Sequence, residues 1–407
     1  MSLNEEIPMR GYCNPLTLRL VVSIASLMPI SVSLAQHVED GRLVFPERRI
    51  TSFIYKGANE EVLRATALKI TTRDGDAPGS WVYEWRTIGE YYERIGDENI
   101  DNSHVLEARE AYLRASVYYS LAWFPGNYTL EESLAYEKQL SVYQKAGALF
   151  DVPLEVVNVP FRDGTLVTYV HRPSGVERPP LVIWSGGSDQ YKANHYRPAQ
   201  VLNSKGLAVV TFDLPGFGES QTWPSEPTAD EAHIAIMEHF IARGDFDAER
   251  ISFVGVSWGG YFSSRVAARN DPRVNSVVAF CAPVHEVFSA PVDFFQQALE
   301  SPERMTLVNL ARHLQIEVTA EAIQASVEPF SLLNSGLLGQ GQTITTPLLV
   351  INGTRDGLAP VSDLMLLYES AVESDLWLLG RGEHCAVEYW PVVIGQLADW
   401  LTEKMSR

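Results

Sequence analysis

Along this chain the spacing of apolar positions changes near residue 150. From about Trp81 to Ala148 apolar and aromatic residues recur at helical spacing, in "SWVYEWRTIGEYYERIG", "SHVLEAREAYLRASVYYSLAWFPG" and "TLEESLAYEKQLSVYQKAGALF". Ser103 and Thr129 each precede such a pattern with an acidic residue in its first turn, so both are read as N-caps. After Phe150 the period shortens. "LEVVNVPF" and "LVTYVHRP" flank "RDGT" as a hairpin would, "PPLVIWSGG" and "LAVVTFDLPG" read as buried strands, and further short apolar runs follow at "ISFVGVS", "VNSVVAFCAP", "PLLVING" and "DLWLLG".

Helical patterns separate most of these strands, which predicts an α/β architecture: a mainly parallel sheet covered by helices on both faces, with the hairpin as an antiparallel edge. Residues 1–45 are set apart as an N-terminal segment, 46–150 as a helical cap, and 151–407 as the sheet-bearing domain. Within the last, residues 285–343 form a long, partly helical insertion of the kind that makes a lid. Functional loops in such sheets gather at the carboxyl ends of the strands.

Charge narrows the partners. The 32 Lys and Arg face 51 Asp and Glu, a formal charge of -19, so phosphate backbones and anionic membranes are repelled. A small-molecule substrate is expected, with no nucleic acid and no stable membrane insertion, and a homodimer is left open. Cys13, Cys281 and Cys385 lie far apart, without the spacing of a zinc site or disulfide framework, which points to a reducing, cytoplasmic setting. The alternative is export. An uncharged stretch from Leu20 to Gln36 follows Arg10 and Arg19 and ends in Ser33-Leu34-Ala35, so residues 9–35 have some features of a signal peptide. Glu5, Glu6 and Pro29 are atypical of one.

The candidate chemistry sits where strands end. Gly255-Val256-Ser257-Trp258-Gly259 fits G-x-S-x-G between a strand and a helical pattern, the sharp turn that lifts a serine hydroxyl out of a sheet. A serine needs a base, and the base an acid to orient it. Asp356 follows the strand "PLLVING" and His384 follows "DLWLLG", in the chain order Ser, Asp, His. Asp363 is the rival acid, and Glu383, Cys385 and Glu388 flank His384 in what reads as a solvated loop. For an oxyanion, Gly186-Gly187 after "PPLVIWS" offers the N–H of Gly187, helped by Ser188, to pair with that of Trp258. Ser185 stands where the comparable HGGG loop carries histidine. Asp213, in "FDLPGFGES", is read as a structural turn residue. No motif calls for a metal or organic cofactor.

"GSWVYEWRTIGEYYERIG", "VYYSLAWFPG", "WSGGSDQY", "FDLPGFGES" and the Ser257 turn together resemble the FrsA-like (fermentation-respiration switch) esterase group of the α/β-hydrolase superfamily, over about residues 60–407. That structural group includes 2,6-dihydroxypseudooxynicotine hydrolases and fungal polyketide-shortening hydrolases. The resemblance implies a helical cap on an α/β-hydrolase core, with Ser257, Asp356 and His384 in the triad positions. The expected activity is hydrolysis of a carboxylic ester or ketone-activated compound. The alternatives are carbon–carbon hydrolysis of a β-diketone or polyketide-like compound, acyl transfer, or a non-catalytic regulator that binds a partner. Trp81, Tyr83 and Trp85 are read as helix-packing residues before substrate contacts.

Overall fold

Two short strands, β1 (His37–Glu39) and β2 (Arg42–Val44), pair antiparallel ahead of five helices: α1 (Glu47–Lys56), α2 (Glu60–Ala67), α3 (Trp81–Asp101), α4 (Val105–Trp123) and α5 (Leu130–Gly147). The computed structural model describes residues 37–39, 42–301, 304–339 and 341–406, with side chains from Phe45 onward. The N-terminal stretch considered as a leader, residues 9–35, lies outside the described residues.

Helix starts follow local chemistry. The Ser80 hydroxyl accepts the Tyr83 N–H at the head of α3, and Thr129 and Glu132 form a reciprocal capping box at the head of α5. The expectation for Ser103 is corrected. This residue is left-handed (φ 62°), its N–H donates to Ile100 O, and α4 begins after His104 with no side-chain cap. Ser103 thus closes the turn after α3 rather than opening the next helix. Trp81 and Trp85 are fully buried among Phe45, Phe53 and Phe124, and the Trp81 indole N–H donates to Leu121 O at 2.6 Å. They hold the helical layer together and do not line the main cavity.

The remaining strands form one sheet in the order β10-β9-β8-β7-β5-β6-β4-β3. The edge hairpin, β3 (Glu155–Phe161) with β4 (Gly164–His171), is antiparallel, as is the β4–β6 contact. The strands β5 (Pro180–Ser185), β6 (Ala208–Phe212), β7 (Asp247–Val256), β8 (Val274–Phe280), β9 (Leu348–Gly353) and β10 (Ser374–Leu379) run parallel. Helices α6 (Tyr196–Ser204), α7 (Glu231–Arg243) and α8 (Trp258–Ala268) connect the first of them. The insertion after β8 carries α9 (Val292–Glu300), α10 (Arg304–Leu314) and α11 (Ala320–Val327), and α12 (Val361–Ser370) and α13 (Trp390–Lys404) complete the chain. The strands β5, β6, β8 and β9, and β7 from Ile251 onward, are almost wholly buried, which is why they read as continuous apolar runs.

The chain passes from β5 to β6 on one side and returns to β7 on the other, so a crevice opens beyond the carboxyl ends of β5 and β7. Register aligns those ends: Ser185 pairs with Gly255, Val256 with Phe280, and Phe280 with Ile351. The helical layer meets the sheet just below this point. Trp123 of α4 stacks on Tyr191 with ring centroids 4.3 Å apart. Lys192 places Nζ 2.6 Å from Asp213 Oδ2, 2.6 Å from Glu219 Oε2 and 3.0 Å from the Tyr136 hydroxyl of α5. Burial works against the Lys192 charge, but the surrounding acidic groups outweigh it and hold its pKa above the ordinary lysine value. Asp213 also accepts the backbone N–H groups of Lys192 and Glu219, so it is a structural centre of the turn. Among the described residues no helix is long and apolar enough to cross a membrane.

Candidate active site

Ser257 follows the last residue of β7 in a strained conformation, φ 55° and ψ −112°, and α8 begins at the next residue. Such backbone strain costs on the order of 1–3 kcal/mol and persists only where the surroundings enforce it. Here the Ser257 N–H is bound to Phe280 O at 2.8 Å. Glycine is required on both sides. A Cβ on Gly255 would lie 2.0 Å from Gly259 O, and one on Gly259 would lie 2.5 Å from Ser185 O.

The hydroxyl meets its partner from far along the chain. Ser257 Oγ is 2.8 Å from His384 Nε2, and His384 Nδ1 is 2.6 Å from Asp356 Oδ2. Asp356 is buried, and its other contacts fix which way it faces: Oδ2 also accepts from Asn352 Nδ2 at 2.6 Å, and Oδ1 accepts the N–H groups of Leu358 and Ala359 at 2.7 and 3.1 Å. Burial pushes its pKa up, but the adjacent imidazole and these hydrogen bonds prevail and hold it below the usual carboxylate value. Asp363 does something else. Its carboxylate accepts the N–H groups of Val284, His285 and Glu286, pinning the first turn of the insertion, and burial raises its pKa despite those bonds.

The loop after β5 approaches the serine closely: a Cβ built on Gly187 would lie 3.2 Å from Ser257 Cβ. Trp258 is the first residue of α8, so its N–H has no intrahelical acceptor. Its indole N–H donates to Ser225 Oγ at 2.9 Å. Ser188 lines the cavity and turns its carbonyl toward His313 Nε2 of α10 at 3.0 Å. Where the comparable loop has its own histidine, Ser185 places Oγ 2.9 Å from His233 Nε2, so α7 supplies an imidazole from elsewhere in the chain.

A cavity of about 140 Å³ opens over Ser257 and His384. The insertion supplies an apolar part of its lining, from Phe288, Phe294, Phe295, Leu307, Leu310 and Val327. α1 adds Arg48, Arg49 and Ser52 to the lining, with Arg49 paired to Asp189 at 2.6 Å. Neither Asp189 nor the α1 residues were singled out by the sequence. The only hint is the position of Asp189 two residues past Gly187, because a charge in "PERRITSF" reads as an ordinary helix surface.

The cysteine reading is overturned. Cys281 and Cys385 form a disulfide across a separation of 104 residues, so Cys385 belongs to a buried crosslink rather than a solvated loop. Glu383 and Glu388 are exposed, as a solvated loop requires. The pair was hidden because its proximity is made by the sheet: Cys281 directly follows β8, its N–H donates to Ile351 O of β9, and the His384 loop follows the next strand, β10.

The sheet order, the flanking helices and the loops at the strand ends define an α/β hydrolase. The sequence model of the esterase FrsA-like proteins matches residues 56–406, and the chain belongs to that family. Esterase FrsA of Photobacterium profundum is 24% identical over 369 residues, covering 86% of each chain, and that of Yersinia pestis is 25% identical over 333 residues, covering 80% of this chain and 77% of its own. Among solved structures, 2,6-dihydroxy-pseudo-oxynicotine hydrolase superposes with a TM-score of 0.74 at 21% identity, covering 87% of this chain and 95% of that one. AbyA5 does so with 0.70 at 22%, covering 85% and 90%. The protein is therefore an esterase-like α/β-hydrolase enzyme.

Proposed function

We propose that this enzyme hydrolyses small carboxylic esters by a Ser257–His384–Asp356 triad. The observation that carries the reading is the continuous hydrogen-bonded path from Ser257 Oγ through both nitrogens of His384 to Asp356, at 2.8 and 2.6 Å, on the floor of an apolar cavity. Ser257 Oγ attacks the ester carbonyl while Nε2 takes its proton, and the same proton is then delivered to the leaving alcohol. Asp356 fixes the tautomer in which Nδ1 bears the proton and stabilises the imidazolium once it forms. The developing oxyanion is received by the backbone N–H groups of Gly187 and Trp258, with Ser188 keeping the loop in place. Water then attacks the acyl-enzyme by the same route.

The wall of phenylalanine, leucine and valine side chains suits a short acyl chain or an aromatic ring. Ketone-bearing compounds are the second class to assay, because the fold is shared with 2,6-dihydroxy-pseudo-oxynicotine hydrolase. The deciding experiment is mass-spectrometric mapping of a fluorophosphonate adduct, alongside turnover of p-nitrophenyl acetate and butyrate. The adduct is expected on Ser257 and is expected to vanish in Ser257→Ala and His384→Ala. An unlabelled wild-type chain that turns over neither ester would overturn the reading.

A further inference from the structure

The disulfide stands directly against the proposed base. Among the described residues, Cys281, His384 and Cys385 are the one group of metal-ligating side chains whose donor atoms all lie within 4.8 Å of one another. With the sulfurs bonded to each other they are poor donors. Reduction by a dithiol breaks the S–S bond and forms two S–H groups, while the dithiol closes into its own disulfide, so electrons and protons balance. The two thiols then remain neighbours, because their Cα atoms, 4.9 Å apart, are set by the end of β8 and the His384 loop. Left-handed backbone at Cys281 (φ 47°), Cys385 (φ 61°) and Ala386 (φ 40°) bends both segments at this point.

We propose that reduction of Cys281–Cys385 creates a site for a soft divalent cation of the zinc and cadmium class, held by two thiolates and the His384 imidazole, and that filling it shuts the enzyme off. Two sulfurs and one nitrogen are a donor set that zinc and cadmium favour over magnesium or calcium, and they leave a fourth position for water. Binding displaces both thiol protons. It also removes the base. If the ion takes Nε2, it occupies the lone pair that would accept the Ser257 proton. If it takes Nδ1, it displaces the bond to Asp356. Both ion and reductant have a route in, because Cys385 and His384 line the substrate cavity.

The test uses the full chain reduced anaerobically with a dithiol, freed of it by gel filtration and titrated with cadmium chloride. A thiol assay should find two more thiols than in the oxidised chain. One equivalent of cadmium should then produce the ultraviolet thiolate-to-cadmium band, and ester turnover should fall by roughly 10²-fold or more, the scale of a lost general base, and return with EDTA. The oxidised chain and Cys281→Ser/Cys385→Ser should show neither band nor inhibition, and His384→Ala should keep a weaker band. The proposal is overturned if the two extra thiols do not appear, if the reduced chain gives no band, if the double serine variant gives the same band, or if cadmium binds without slowing turnover. The band is read without any substrate, so it stands or falls separately from the proposed esterase activity.

Discussion

Lys192 Nζ lies 2.6 Å from Asp213 Oδ2, and neither side chain is more than 1% exposed. The pair joins the loop after β5 to the turn after β6, and the Tyr136 hydroxyl donates to the same carboxylate from α5. The helical layer and the loops after two neighbouring strands therefore meet at one buried ion pair. Replacing Lys192 by Met leaves the carboxylate without its cation and should cost about 3–5 kcal/mol of stability. Urea unfolding measures this, and Lys192→Met combined with Asp213→Leu should recover a large part of it. A double variant no more stable than the single one would show that packing rather than charge holds the junction.

Two aspartates seven positions apart, Asp356 and Asp363, have different partners and should fail differently. Asp356→Asn should lower kcat by roughly 10⁴-fold with the fold intact, because the amide cannot hold the His384 tautomer. Asp363→Asn should change kcat only slightly, yet destabilise by about 1–3 kcal/mol, because one of the two acceptor oxygens becomes an NH2 and leaves either Glu286 N–H or the N–H pair of Val284 and His285 without its partner. Steady-state kinetics and thermal unfolding on both variants separate the roles. A collapse of kcat in Asp363→Asn alone would reverse the assignment.

Phe295 is buried at the cavity wall. Its truncation to Ala should enlarge the acyl site and shift preference toward longer chains. Each accommodated methylene is worth about 1–3 kcal/mol in such pockets. The ratio of kcat/KM for p-nitrophenyl octanoate over acetate should thus rise at least roughly tenfold, and an unchanged ratio would place the acyl chain elsewhere.

Acid should unfold the enzyme in a particular window. Burial pushes the pKa of His171 and His195 down from 6.5 to about 3, and that of His233 and His313 to about 4. These rings stay neutral when folded and take up protons when unfolded, so their contribution is complete above pH 6.5 and drains away as pH falls toward 4 and then 3. Each such histidine steepens the loss by up to about 1.4 kcal/mol per pH unit. Urea midpoints at about pH 7.5, 6 and 5 should therefore fall progressively. A flat profile across that range would mean the rings titrate in the folded chain.

Much of the candidate catalytic centre is legible in the sequence because each proposed group follows the end of a strand, buried for Ser257 and Asp356 and half-exposed for His384. Ser257, Asp356 and His384 can be located from where apolar runs give way to Gly and Asp, a local signal. What surrounds them is set by tertiary contact. Asn352 orients Asp356 from inside a strand that looks purely structural, His233 reaches Ser185 from a helix, and Arg48, Arg49 and Ser52 line the cavity from far upstream in the chain. The Cys281–Cys385 bond escapes for the same reason, since only the alignment of parallel strands brings the two together. Ser103 misled because cap chemistry was present without cap geometry.

The cavity draws its reacting groups and its walls from different stretches of sequence. Ser257, His384 and the Gly187 loop stand just past strand ends, while much of the remaining lining comes from α1 and from α9 to α11. Mutation of the lining can thus remodel what is admitted without touching the proposed Ser257, His384 and Asp356. On the proposed assignment, catalytic competence and substrate range are therefore separately heritable traits of this scaffold.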